Sequence, residues 1–153
     1  MNVQEIMSRN PSACDPQDTL HRAAQIMWDE DCGCVPVVEA DRLVGVVTDR
    51  DACMGAYLKG APLDSIRVGD VMSRELYACG PDADVDDVRR MMGRGQIRRI
   101  PVVADGRLVG IVSLNDIARA TQGSSAPRRP SAVHVTETLA AICAPRTYDR
   151  AAE

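Results

Sequence analysis

The chain has no phenylalanine, one tryptophan and three tyrosines among its 153 residues, so aromatic residues make up only 3% of it. Its core must therefore be built from aliphatic side chains and methionine. Only two histidines are present, His21 and His134. Neither has a nucleophile partner in the sequence, so a Cys–His or Ser–His catalytic site finds no support. Neither a P-loop nor a G-x-G-x-x-G turn occurs. No apolar run approaches the roughly 20 residues that a membrane span needs. The opening MNVQEIMSRN lacks the basic-then-apolar order of a signal peptide. Net charge is −4 with both signs interspersed, which excludes a basic footprint for nucleic acid or an anionic membrane. These absences lead us to expect a cytoplasmic protein that binds neither nucleic acid nor membrane. Its six cysteines are then expected as thiols. Cys32-Gly-Cys34 has no second cysteine pair to complete a zinc site, so no metal is expected.

What is present is a repeat. Residues 3–51 and 68–116 align without gaps at a constant offset of 65, and 17 of the 49 paired positions are identical. Val3, Met7, Ser8 and Arg9 match Val68, Met72, Ser73 and Arg74; Pro36-Val-Val matches Pro101-Val-Val; Arg42-Leu-Val-Gly45 matches Arg107-Leu-Val-Gly110. Each copy reads as a short turn, a brief strand at Cys14 or Cys79, a helix, two strands joined by a tight hairpin, and a second helix. Helical spacing puts Leu20, Ala23, Ala24, Met27 and Trp28 on the inner face of the first helix, and Val85, Val88, Met91 and Met92 on that of its counterpart. The fold class is α/β (α+β): tandem β-α-β-β-α repeats packed with pseudo-two-fold symmetry, sheet to sheet, around a common core. The first copy spans 1–60 and the second 61–121, with Ala56–Ile66 linking them. The rest, 122–153, reads as a Ser/Pro-rich linker, a short helix with Val135, Leu139, Ile142 and Cys143 on one face, and an end that frays from Arg146.

Two segments carry the chemistry. Gly45-Val-Val-Thr48-Asp-Arg-Asp51 and Gly110-Ile-Val-Ser113-Leu-Asn-Asp116 both read G-h-h-[ST]-x-x-D at a strand-to-helix junction. A hydroxyl at a helix start caps backbone N–H groups, and the same terminus can hold a phosphate. A carboxylate one turn later can accept both hydrogen bonds of a ribose diol. The spacing suits a nucleotide. It equally suits a plain helix cap with a favourable acid in the first turn.

These features resemble the CBS-domain pair, the module named after cystathionine β-synthase. The resemblance covers residues 1–121. It rests on the Ile6-Met7 and Val71-Met72 turns, the Pro-Val-Val strands, the R-L-V-G-[VI]-V-[ST] strands and the terminal Asp of each copy. It implies a non-catalytic regulatory module with two clefts for an adenosine-containing ligand (AMP, ADP, ATP or S-adenosylmethionine), no obligatory cofactor, and a homodimer. By that resemblance Asp51 and Asp116 hold ribose, and Thr48 and Ser113 meet ribose or phosphate. Adenine contacts come from the opposite repeat: Ser12, Cys32 and Gly33 for the Asp116 cleft, and Tyr77, Ile97 and Arg98 for the Asp51 cleft. Arg98 and Arg99 resemble a phosphate-binding pair, which the first repeat replaces by Gly33-Cys34, with Arg50 in partial compensation. The clefts are thus expected to be unequal, with the Ser113–Asp116 cleft favoured. The alternative is a dimeric stress or interaction protein on the same scaffold, without nucleotide and with redox-responsive thiols.

Overall fold

The structure, a computed structural model, describes residues 1–122 and 130–145. The middle of the expected linker and the end from Arg146 lie outside the described residues. In chain order the elements are β1 (Ser8–Arg9), α1 (Leu20–Asp29), β2 (Cys34–Glu39), β3 (Arg42–Thr48), α2 (Asp49–Lys59), α3 (Val85–Gly95), β4 (Arg99–Ala104), β5 (Arg107–Ser113), α4 (Leu114–Gln122) and α5 (Ala132–Cys143). Short 3-10 turns at Val3–Glu5 and Val68–Asp70 open the two repeats. The helix α2 runs through Ala56–Lys59, which the sequence reading placed in the linker. It stops at Gly60, whose φ of 58° closes the helix in the left-handed conformation that glycine adopts without a Cβ penalty.

Each repeat folds around a hairpin. β2 pairs antiparallel with β3, and β4 with β5, in matching register: Cys34 opposite Thr48 and Arg99 opposite Ser113. The hairpin tips take positive φ at Ala40 and Asp41 and at Asp105 and Gly106. Cys14 and Cys79 are buried and bridge Val37 and Val102 in parallel. In α1 the buried face is Leu20, Ala23, Ile26 and Met27, whereas Trp28 is 87% exposed. The helix turns about 100° per residue, which carries position 28 past the core face. In α3 the buried set is Val85, Val88, Arg89 and Met92, with Met91 half-buried against it.

The buried apolar residues form two clusters, one per repeat, instead of the single common core expected from sequence. The opening turns are exchanged between them. Val3 and Met7 pack with the second repeat's cluster, and Val68 and Met72 with the first. Their backbone bonds repeat at the same offset: Val3 N donates to Ala83 O (3.0 Å) and Val68 N to Asp18 O (2.8 Å). Likewise Val85 N donates to Met1 O (3.0 Å) and Leu20 N to Ile66 O (2.8 Å). β1 then joins the second sheet, giving the order β1-β5-β4, while Ser73 bridges Val46 on the first. The crossing explains the two strand glycines. A Cβ on Gly110 would lie 2.6 Å from Met7 Sδ and 2.9 Å from Ser8 O, and one on Gly45 would lie 2.6 Å from Met72 Sδ. Each repeat is thus completed by a segment of the other, and β3 and β5 adjoin at the centre.

Candidate functional site

The two G-h-h-[ST]-x-x-D segments fold into the same local structure. Ser113 N and Ser113 Oγ both donate to Asp116 Oδ2 (2.8 and 2.6 Å), and Asp116 N donates back to Ser113 Oγ (3.2 Å). Thr48 and Asp51 reproduce this with 2.9, 2.7 and 3.2 Å. One carboxylate oxygen thereby caps the helix start. Asp49 N donates to Gly33 O (3.2 Å) and Leu114 N to Arg98 O (2.9 Å), so each helix start is also tied to the loop after the first helix of its repeat.

The copies differ one turn further on. Asp116, 7% exposed, accepts at Oδ1 from Nη2 of Arg119, whose side chain is 74% exposed. The matching position in the first repeat is Met54. A cavity of about 380 Å³ opens beside Ser113 and Asp116 and is also lined by Ser12, Cys32, Arg99 and Arg119. Ser12 Oγ donates to Glu30, which faces the same cavity. A second cavity, of about 420 Å³, opens beside Thr48 and Arg50 and is lined by Gly33, Ile97, Arg98 and Arg99. Both volumes fall within the range of small-molecule sites.

The structure therefore brings most of the expected residues into two clefts, with differences in detail. Gly33 lies on the Thr48 cleft, not on the Asp116 cleft where it was expected. Asp51 is half-buried at the helix start, and neither it nor Tyr77 belongs to the lining. The Tyr77 hydroxyl donates instead to Glu75 (3.1 Å), and its ring backs onto Gly95. Arg99, expected to mark one cleft, lines both, because it lies across from its repeat equivalent Cys34 between them. The charge balance is unequal. Arg9, Arg99 and Arg119 face Glu30, Asp31 and Asp116 in one cleft, while Arg50, Arg98 and Arg99 face only Asp49 in the other. The basic excess thus sits on the Thr48 cleft, although the Asp116 cleft was the one favoured from sequence.

Several lining residues are not signalled as site residues by the sequence, Arg119 and Ile142 among them. Arg119 was legible in principle, as the Asp-x-x-Arg spacing that only the second copy has. Ile142 of α5 reaches the Thr48 cleft, and no local pattern signals it. Burial pushes the Cys34 thiol up to about 12 and those of Cys14 and Cys79 up to about 11. All six cysteines are free thiols, with Cys53 and Cys143 exposed. Among the described residues no group of three or more His, Cys, Asp or Glu is placed to hold a metal ion, and no helix is long and apolar enough to cross a membrane.

A tandem repeat with exchanged opening turns and a cleft at each strand-to-helix junction defines a class, and comparison with known proteins names it. The family model for the CBS domain matches residues 3–54 and 68–123. The chain belongs to the CBS domain family. It is 36% identical over 117 residues to the CBS domain-containing protein YhcV of Bacillus subtilis, covering 76% of this chain and 83% of that one. Hypoxic Response Protein I, solved with two coordinated zinc ions, is 32% identical with a TM-score of 0.72, covering 78% of this chain and 98% of that one. The CBS domain pair of protein MJ0100, solved with 5'-methylthioadenosine and S-adenosyl-L-methionine, is 28% identical with a TM-score of 0.72, covering 82% and 98%.

Proposed function

We propose that this CBS pair is a non-catalytic regulatory module that binds an adenosine-containing ligand, foremost in the Ser113–Asp116 cleft, and signals through a dimer or a partner protein. One observation carries the reading. Asp116 is buried at a helix start beside a cavity of suitable size, with Oδ2 spent on capping and Oδ1 held only by Arg119, which lines the same cavity. The guanidinium of Arg119 on Oδ1 is 74% exposed, so it can swing into solvent when the two hydroxyls of a ribose diol replace it on the buried carboxylate. The released guanidinium, with Arg99, then meets a phosphate, while Ser12 and Cys32 line the base end. In the second cleft Thr48, Arg50 and Arg98 take the phosphate and Ile97 the base side. The adenosine compounds bound by the MJ0100 pair support the ligand class. The thiol-redox alternative is left with Cys32, Cys53 and Cys143, because burial holds Cys14, Cys34 and Cys79 protonated and the thiolate is the reactive form.

Thermal unfolding with AMP, ADP, ATP and S-adenosylmethionine tests the reading. A ligand at about 100 times its Kd adds about 2.7 kcal/mol, which raises Tm by roughly 5–10 °C for a chain of this size. No shift with any of the four at millimolar concentration refutes it.

A further inference from the structure

The two clefts descend from equivalent segments, yet only one meets α5. This helix lies across α3 and α4 of the second repeat. Its inner face is Val135, Thr138 and Ile142, while Leu139 and Cys143, expected on that face, are exposed. Two polar anchors hold it. Buried Arg89 donates through Nη1 to Thr138 Oγ1 (3.0 Å) and His134 O (3.2 Å), and through Nε to Asp86 Oδ1 (3.0 Å). Gln96, which ends α3, donates through Nε2 to Ala141 O (3.3 Å) and Ala144 O (2.9 Å) at the C-terminal end of α5. Between these anchors Ile142 is 8% exposed, and it lines the Thr48 cleft together with Ile97. No residue of α5 lines the Asp116 cleft.

We propose that α5 is a built-in competitor for the Thr48 cleft. Ile142 fills the apolar end of that cleft, where a base stacked on Ile97 would sit, and leaves the basic end at Arg50, Arg98 and Arg99 open. This rests on the reading of the clefts as nucleoside sites. Ligand and helix then cannot both occupy the apolar end. Occupying the cleft releases α5, and docking of α5 weakens the ligand by the same factor. The apparent affinity equals the intrinsic one scaled by the fraction of molecules whose α5 is undocked. Release would bare Ile142, Val135 and the α3 face beneath them, which gives the chain a ligand-dependent surface.

The test uses the full chain carrying Asp116→Ala, which weakens the other cleft so that the tighter binding step in calorimetry reads the Thr48 cleft, with whichever of AMP, ADP, ATP and S-adenosylmethionine binds the native chain tightest. Adding Ile142→Ala should tighten binding by about tenfold or more, and Ile142→Trp should weaken it. Hydrogen exchange, with α5 unaltered in sequence, supplies a second readout: saturating the cleft should speed exchange across residues 132–143. Equal affinity with and without Ile142→Ala, or exchange in α5 that slows or stays unchanged on saturation, overturns the competitor while leaving the nucleoside reading intact. Binding by none of the four compounds, in the native or the Ile142→Ala chain, overturns both.

Discussion

Replacing Asp116 by alanine should weaken adenosine ligands about ten- to a hundredfold. The carboxylate has two oxygens with different tasks. Oδ2 accepts from Ser113 N and Ser113 Oγ, and its loss removes a helix cap, worth about 0.5–2 kcal/mol of stability. Oδ1 is the ligand's share. Hydrogen bonds to a charged group are worth about 1.5–3 kcal/mol each, and every 1.4 kcal/mol is roughly tenfold in Kd. The present partner of Oδ1, Arg119, is 74% exposed while Asp116 is 7% exposed, so displacing it subtracts part of that gain and sets the expected loss toward the lower end of the range. Calorimetry at 25 °C, below the unfolding transition of both proteins, separates the binding loss from the stability loss. Arg119→Met, which copies the residue at position 54, divides the site further. AMP should lose affinity because its phosphate loses a guanidinium. Methylthioadenosine, which has no phosphate, should hold or gain because Oδ1 is freed. Unchanged affinity for every ligand in folded Asp116→Ala protein would remove Asp116 from the site. An equal loss for AMP and methylthioadenosine in Arg119→Met would show that Arg119 acts only by positioning Asp116.

Two further outcomes test the fold and the thiols. Val3→Ala should cost about 2 kcal/mol, from two lost carbons and the cavity left behind, as measured by urea unfolding. Hydrogen exchange should quicken in residues 85–117 of the second repeat, although Val3 belongs to the first copy in sequence; a change confined to residues 10–60 would refute the exchange of opening turns. At neutral pH a thiol reagent should modify Cys53 and Cys143 and spare Cys14, Cys34 and Cys79 in the native protein. Because burial raises those three above the ordinary value of 9.0, the folded state keeps them protonated while the unfolded chain ionises. Their contribution to stability is therefore complete below about pH 9 and is lost as pH climbs through about 11 to 12. Cys34→Val should flatten the decline of the urea midpoint above pH 9, and an unchanged slope would remove Cys34 as a contributor.

The repeat, the order of its elements and both helix starts were legible in the sequence because they depend on local chemistry. Helical periodicity located Leu20, Ala23 and Met27, and hydroxyl-to-carboxylate spacing located Thr48 with Asp51 and Ser113 with Asp116, since a cap closes within one turn. The tertiary structure alone decided which partner each of these pieces meets. The opening turns are nearly the same in both copies, so nothing local says that Val3 enters the second core and Val68 the first. The difference between Arg99 and Cys34 was visible, but not that both stand between the clefts and that one guanidinium serves the two. Trp28 lies one residue past Met27, and only packing decides that it stays outside. In α5 the periodic pattern admitted Leu139 and Cys143 as well as Val135 and Ile142. The choice of inner face was made by Arg89, Gln96 and the groove over α3, residues some 45 positions away in sequence. Contacts at such separation are settled by shape and burial in three dimensions, which a one-dimensional pattern does not encode.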